Sequence, residues 1–253
     1  MGREWQTAPP VCLFPLNTAR WVHDTPDDHP PNAMTSAIPA PQPDGASLSD
    51  DWHTISEELL QGLVHALNNR VAALSALVEL ATLGDERSNL LSGLPGEIAQ
   101  LHRLNALFGL LPQRRADGEA LDLRAVLEDA IRLHEHHPRL RGAQVMVTFE
   151  GAPGAVRAPR WALVRASVML VHIAKRVAQS APGQDAAVRV HGDGETVALH
   201  VATLAAPPPD LAALAVRCGG RVIRTSDELV LSIPSLRELR RREREARGDG
   251  STS

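Results

Sequence analysis

The chain has 253 residues, 43% of them hydrophobic, two cysteines and a formal net charge of −4. That is enough apolar material for one large or two small cores, and the charge argues against a general nucleic-acid binder. Cys12 and Cys218 form neither a disulfide framework nor a zinc spacing, and no apolar run suits a membrane span or a secretory signal, so the chain reads as cytoplasmic.

Residues 1–50 are rich in Pro, Asp, Ser and Thr without a sustained period and read as a disordered leader, with Met34 an alternative start. The spacing then predicts a helix from Asp50 or Asp51, whose carboxylates suit an N-cap, to about Leu83, with Gly84 as its stop. Within it Leu63, Leu67, Val71, Leu74 and Val78 recur every three or four residues and form one apolar stripe. At 100° per residue, His65 lies about 160° from the centre of that stripe and faces water. Asn69, four residues on, shares its face, and Ala72, Ala73 and Ala76 continue that face with small side chains. Such a bare surface admits another protein's backbone. Asn68 lies to the side of His65, and Arg70 is a cation beside the helix seam.

A second amphipathic helix carries Leu94, Ile98, Leu101, Leu104, Leu107 and Leu111 and ends before Pro112. It starts either at Glu86 with a kink at Pro95 or afresh with Pro95 in its first turn. The two helices make an antiparallel hairpin over 51–113, which cannot bury both stripes alone; a four-helix bundle from two chains can.

Residues 119–235 alternate between periods. The stretch from Leu121 to His134 reads as a helix entered from a short extended piece, Gln144–Phe149 as a strand and Trp161–Ala178 as a helix. Strands follow at 187–191 and 196–201 around the turn Gly192-Asp-Gly-Glu195, then a helix at 210–217 and strands at 221–224 and 228–233. This mixture indicates an α+β layer domain. The tail, 236–253, is charged on every side and reads as a solvated or frayed helix. His134-Glu-His-His137 sits at a helix end, where cationic side chains suit the dipole better than a metal site.

The run His65-Ala-Leu-Asn-Asn69 in a helical hairpin, the segment Arg103-Leu-Asn-Ala-Leu-Phe-Gly-Leu-Leu-Pro112, then Leu121-Asp-Leu-Arg124 and an α/β domain closing on Gly219-Gly220, two strands and Ile233-Pro234, resembles the cytoplasmic core of bacterial sensor histidine kinases. That resemblance implies a dimeric four-helix bundle followed by a kinase ATPase-like sandwich. It fails where nucleotide chemistry occurs. The helix that carries magnesium- and phosphate-holding asparagines in the family has Met169 and Ile173 at those positions. After Val201 the sequence reads Ala202-Thr-Leu-Ala-Ala-Pro-Pro-Pro-Asp210, without the family's Asp-x-Gly-x-Gly loop, and Gly192-Asp-Gly194 is a hairpin turn rather than a substitute. Ala66 stands where active kinases carry an acid beside the histidine.

Loss of the nucleotide site with retention of the histidine resembles the histidine phosphotransferases built on a kinase scaffold, the Caulobacter cell-cycle type more than the Bacillus sporulation type. The resemblance implies that His65 is the phosphoacceptor, assisted by Asn69 and Asn68, and that Arg70, Ala72, Ala73 and Ala76 meet the partner. It implies no cofactor, since magnesium comes with the partner receiver. The partners it implies are response-regulator receiver domains, a hybrid histidine kinase and a second copy of the chain, and no nucleic acid and no membrane are expected. Two other readings stay open: a divergent ATP-dependent sensor histidine kinase, and a non-catalytic pseudokinase scaffold that binds response regulators.

Overall fold

The computed structural model describes residues 51–83, 92–111, 118–180 and 186–248. The leader, the Gly84 stop and a helix start at Glu86 fall outside those residues. The described elements are α1 (Trp52–Leu83), α2 (Leu94–Phe108), β1 (Gly118–Leu121), α3 (Leu123–Glu135), β2 (Val145–Gly151), β3 (Val156–Pro159), α4 (Arg160–Ser180), β4 (Ala186–Gly192), β5 (Thr196–Ala202), α5 (Pro209–Arg217), β6 (Arg221–Arg224), β7 (Glu228–Pro234) and α6 (Leu236–Gly248). The class is α+β, with a mixed sheet in the order β2-β4-β5-β7-β6, parallel only between β2 and β4. β1 and β3 form a separate antiparallel ribbon.

Local chemistry explains the helix ends. Asp51 caps α1, its Oδ1 accepting from Thr54 N–H at 2.9 Å and its Oδ2 from the Thr54 hydroxyl at 2.8 Å. Pro95 lies in the first turn of α2, and Gly109 ends that helix. Leu111, expected inside the helix, therefore sits just beyond it, though still buried. Asp122 caps α3 by accepting from Arg124 N–H at 2.9 Å.

Packing decides where α1 goes. Ile55, Leu59 and Leu63 are fully buried in the same apolar cluster as α3, α4 and the inner face of the sheet. Each such side chain contributes about 1.5–3 kcal/mol, against about 1 kcal/mol for the cap. Trp52 N–H also donates to Asp210 Oδ2 at 3.0 Å, and the Arg165 guanidinium lies 4.7 Å from the Trp52 ring and 5.4 Å from the Trp161 ring. The first three turns of α1 thus belong to the α/β core. At the centre lies α4, buried on nearly every side from Ala162 to Lys175, as a helix apolar all round must be.

The sheet alternates as its sequence does. Val188 and Val190 of β4 face inward, while Arg189 and His191 face out. Between β4 and β5, Asp193 Oδ1 accepts from Thr196 N–H (2.7 Å) and Glu195 N–H (2.9 Å), bonds that hold its carboxyl below the usual range, and Gly194 supplies φ +89°. This hairpin is the turn expected there.

The C-terminal segment is a helix exposed from Arg240 to Arg247, as a solvated tail should be, but its first turn is anchored. Ser235 Oγ accepts from Glu238 N–H at 3.1 Å and caps α6, and Glu238 is buried, its carboxylate gripped by Arg241 and Arg242 and pulled down to about 2. A Ser-x-x-Glu box at 235–238 was the available signal.

Candidate functional site

His65 follows Leu63 by two residues, about 200° around α1, so anchoring Leu63 in the core turns the imidazole outward. It is exposed. Asn69 Nδ2 lies 3.3 Å from His65 Nε2. With the amide nitrogen as donor, Nε2 carries the lone pair and Nδ1 the proton. Asn69, Ala72 and Ala76 stand within roughly 40° of His65 around the helix, and all three are exposed. Ala73, at the edge of that face, is half-buried.

Across from this face a second wall stands. Gly62 touches the chain at His136 so closely that a Cβ there would lie 1.7 Å from His136 O. Beside that contact opens a cleft of about 630 Å³ lined on α1 by His65, Ala66, Asn68 and Asn69 and opposite by His136, Pro138 and Arg141. Asn68, expected to the side, lines the same cleft. Arg141, His136 and the Gly62 contact were not foreseen as parts of the site. The run His134–Arg141 is visible in the sequence, but nothing in it says that it meets a helix more than 60 residues earlier.

Charge near the histidine is mixed. Arg70 Nη1 lies 3.2 Å from both carboxylate oxygens of Glu97, tying α1 to α2. Half its surroundings are solvent, so the pair contributes little to stability. Burial, together with Arg70, lowers the pKa of His136, which Glu135 partly opposes. The His136 ring is therefore neutral at neutral pH, and Arg141 is the cation that lines the cleft.

The other histidines of that run are interior. His134, His137 and His172 are fully buried, with ring centroids 5.4 to 5.8 Å apart. His134 Nδ1 donates to Ala130 O at 2.9 Å, and burial pushes its pKa well below the ordinary value. His137 Nδ1 accepts from Arg139 N–H and Leu140 N–H, both at 3.2 Å, so its proton sits on Nε2, 2.9 Å from Glu58 Oε2. Burial and the neighbouring Lys175 push this ring down to about 4. The expectation of cationic histidines at a helix end is thereby corrected: desolvation outweighs the helix dipole for these two. Among the described residues no group of three His, Cys, Asp or Glu side chains is arranged to hold a metal.

Met169 and Ile173, at the positions where the resemblance calls for phosphate-holding asparagines, are buried in the core. Residues 203–208 connect β5 to α5 in six residues. No described helix is long and apolar enough to cross a membrane.

No family model and no curated protein matches the chain. Among solved structures it is similar to a bacterial phosphotransferase, at 15% identity over 70% of this chain and 94% of that one, with a TM-score of 0.36. It is similar to the histidine kinase AdeS of Acinetobacter baumannii at 16% identity over 70% and 97%, TM-score 0.37. A third is the histidine kinase ThkA, solved in complex with the response regulator protein TrrA, at 15% identity over 74% and 64%, TM-score 0.35.

Proposed function

We propose that the chain is a histidine phosphotransferase of a two-component phosphorelay. The observation that carries this reading is the environment of His65: an exposed imidazole whose Nε2 faces Asn69 at 3.3 Å, on a small-residue helix face beside an open cleft. The Nε2 lone pair attacks phosphorus in the acyl phosphate of a receiver aspartate. The bond from phosphorus to the carboxylate oxygen breaks, the aspartate leaves as its carboxylate, and a phosphoimidazole remains. The reverse step delivers the group to a second receiver. An acyl phosphate is already activated and its receiver brings magnesium, so Ala66 in place of an acid is no obstacle.

Asn69 is placed to donate to a phosphoryl oxygen on Nε2, and Asn68 lines the approach. Ala72 and Ala76 admit a receiver helix, with Ala73 at the margin. Arg70, bonded to Glu97, acts on this face through its field rather than by direct contact. A hybrid histidine kinase stands upstream. No cofactor of the chain's own is required in this reading, and buried Met169 and Ile173 supply no hard ligand for magnesium triphosphate, which disfavours the ATP-dependent alternative.

A second copy completes the hairpin. Val64, Val71 and Val78 repeat every seven residues and are 47%, 50% and 53% exposed, with Ile98 of α2 at 46%. An apolar seam of that period is what a helical bundle covers.

The test is transfer from receiver domains carrying labelled phosphate, without ATP, to wild type and to His65→Ala. Label on the wild-type chain alone is expected. Label on neither chain with any receiver, or equal label on both, overturns the assignment. Label only after ATP is added points to the kinase. Because His65 is exposed, the variant should melt with the wild type.

A further inference from the structure

The groove beside α6 carries an unassigned charge pattern. Arg237, Arg240, Arg244 and Arg247 recur at spacings of three and four, hence along one face of the helix, and all four line a cavity of about 740 Å³. The facing wall is small, made of Ala152, Gly154 and Ala155 from the β2–β3 connection and Gly194 from the β4–β5 hairpin. The acids of α6 are engaged elsewhere. Glu238 holds Arg241 and Arg242 beneath the helix, Glu245 lies 3.7 Å from Arg241, and Glu243, which does reach the groove, pairs with Arg157 at 3.4 Å. Among the described residues, the four groove arginines form no ion pair; Arg244 Nε donates only to Arg240 O at 3.2 Å.

Like charges three and four residues apart on a helix repel, so this row disfavours the helix unless an anion lies along it. Guanidinium groups present forked donors that suit phosphate oxygens. From Arg237 to Arg247 the row rises about 15 Å, more than one phosphate spans and suited to several in line. The volume is that of a small-molecule site. Among the described residues no aromatic side chain lines the groove, so none of them stacks a base there, and a nucleic-acid strand fits it poorly.

We propose that the α6 groove binds a linear anion of three or more phosphate groups, without an aromatic base. The experiment is titration calorimetry of the full chain with inorganic tripolyphosphate at physiological salt. Saturable one-to-one binding is expected, at least tenfold tighter than for orthophosphate. The double variant Arg240→Gln, Arg244→Gln should weaken it tenfold or more, while the charge-matched pair Arg217→Gln, Arg221→Gln on α5 and β6 should leave it within twofold. Absence of saturable heat overturns the proposal, as does equal weakening by both pairs, which marks general charge attraction. Orthophosphate bound as tightly, an adventitious ion only, or a tetraglutamate peptide bound more tightly overturns it as well. If the double variant fails to fold, Arg247→Gln near the helix end is titrated in its place, with a threefold loss expected and none overturning the assignment.

Discussion

Two sets of histidines lie on the two sides of one contact. His65 and the half-buried His136 border the open cleft where α1 meets the α3–β2 connection, while His134, His137 and His172 lie inside the protein behind it. The residue type is the same and the chemistry opposite. In the interior, burial removes water from the charged form, and bonds to Ala130 O, Arg139 N and Leu140 N fix which nitrogen holds the proton. At His65 the ring is exposed and a single amide, that of Asn69, donates to Nε2. Placement two residues apart, at Leu63 and His65 on α1 or at His134 and His136 at the end of α3, decides between core and surface.

The largest effect should come from breaking the contact itself. Gly62→Ala places a Cβ 1.7 Å from His136 O, a backbone atom that cannot swing away as a side chain would. Overpacking typically costs about 1–3 kcal/mol, and we expect at least the upper end here. Urea unfolding measures it; a variant within about 0.5 kcal/mol of wild type would show that α1 does not sit against His136.

Next comes the pH response of the interior set. A histidine whose pKa is lowered on folding contributes stability that is full above the unfolded value of about 6.5 and is lost as pH falls towards its folded value. For His137 that window runs down to about 4, and the His134 shift has the same direction. Two such groups give a slope approaching about 2.7 kcal/mol per pH unit in the window. His134→Leu removes a ring whose Nε2 makes no hydrogen bond and should flatten the slope by about one proton. Unfolding free energies at pH 7, 6 and 5 give the slope directly, and an unchanged slope refutes the assignment of a proton to His134. The proposed phosphotransfer through His65, on the other side of the contact, should not follow that variant.

Much of this architecture is readable in the residues. Alternation in 187–191 and 196–201, the turn at Asp193-Gly194 and the change of period after Leu121 place the sheet and its helices within a residue or two of where they lie. β3 was missed because Val156–Pro159 is too short to show a period and takes its strand geometry from β1, almost 40 residues earlier. In the site, the outward turn of His65 and its pairing with Asn69 follow from helical spacing alone. The second wall does not. Periodicity says that Leu63 is buried, but not that α4 and the sheet bury it; it also treats Val71 and Val78 as equals of Leu63, though a lone hairpin leaves them open. The burial of His134 and His137 is likewise set by what packs over the end of α3, which four neighbouring polar letters do not reveal.

The exposed seam gives the third prediction. Val71→Lys should shift the proposed dimer to monomer in light scattering, while the melting of the α/β unit changes by less than about 0.5 kcal/mol, because Val71 is half exposed in the single chain. A monomeric wild type would remove the basis for the bundle. Loss of core stability on mutation would mean that the seam already packs within one chain.

The smallest effect belongs to Arg70, whose charge reaches both sides of the comparison. Its bond to Glu97 is half exposed, so Arg70→Gln should cost no more than about 1 kcal/mol. The sharper readout is His136. Burial is the larger cause of its lowered pKa and Arg70 a lesser one, so removing the guanidinium should raise the His136 titration midpoint, followed by NMR, without restoring it to that of a free histidine. The proposed transfer to His65 should slow by only a few fold, since the phosphoryl group would lose a distant field and not a ligand. A loss of a hundredfold would place Arg70 on the phosphoryl group directly, and Glu97 would then be the residue that holds it in reserve.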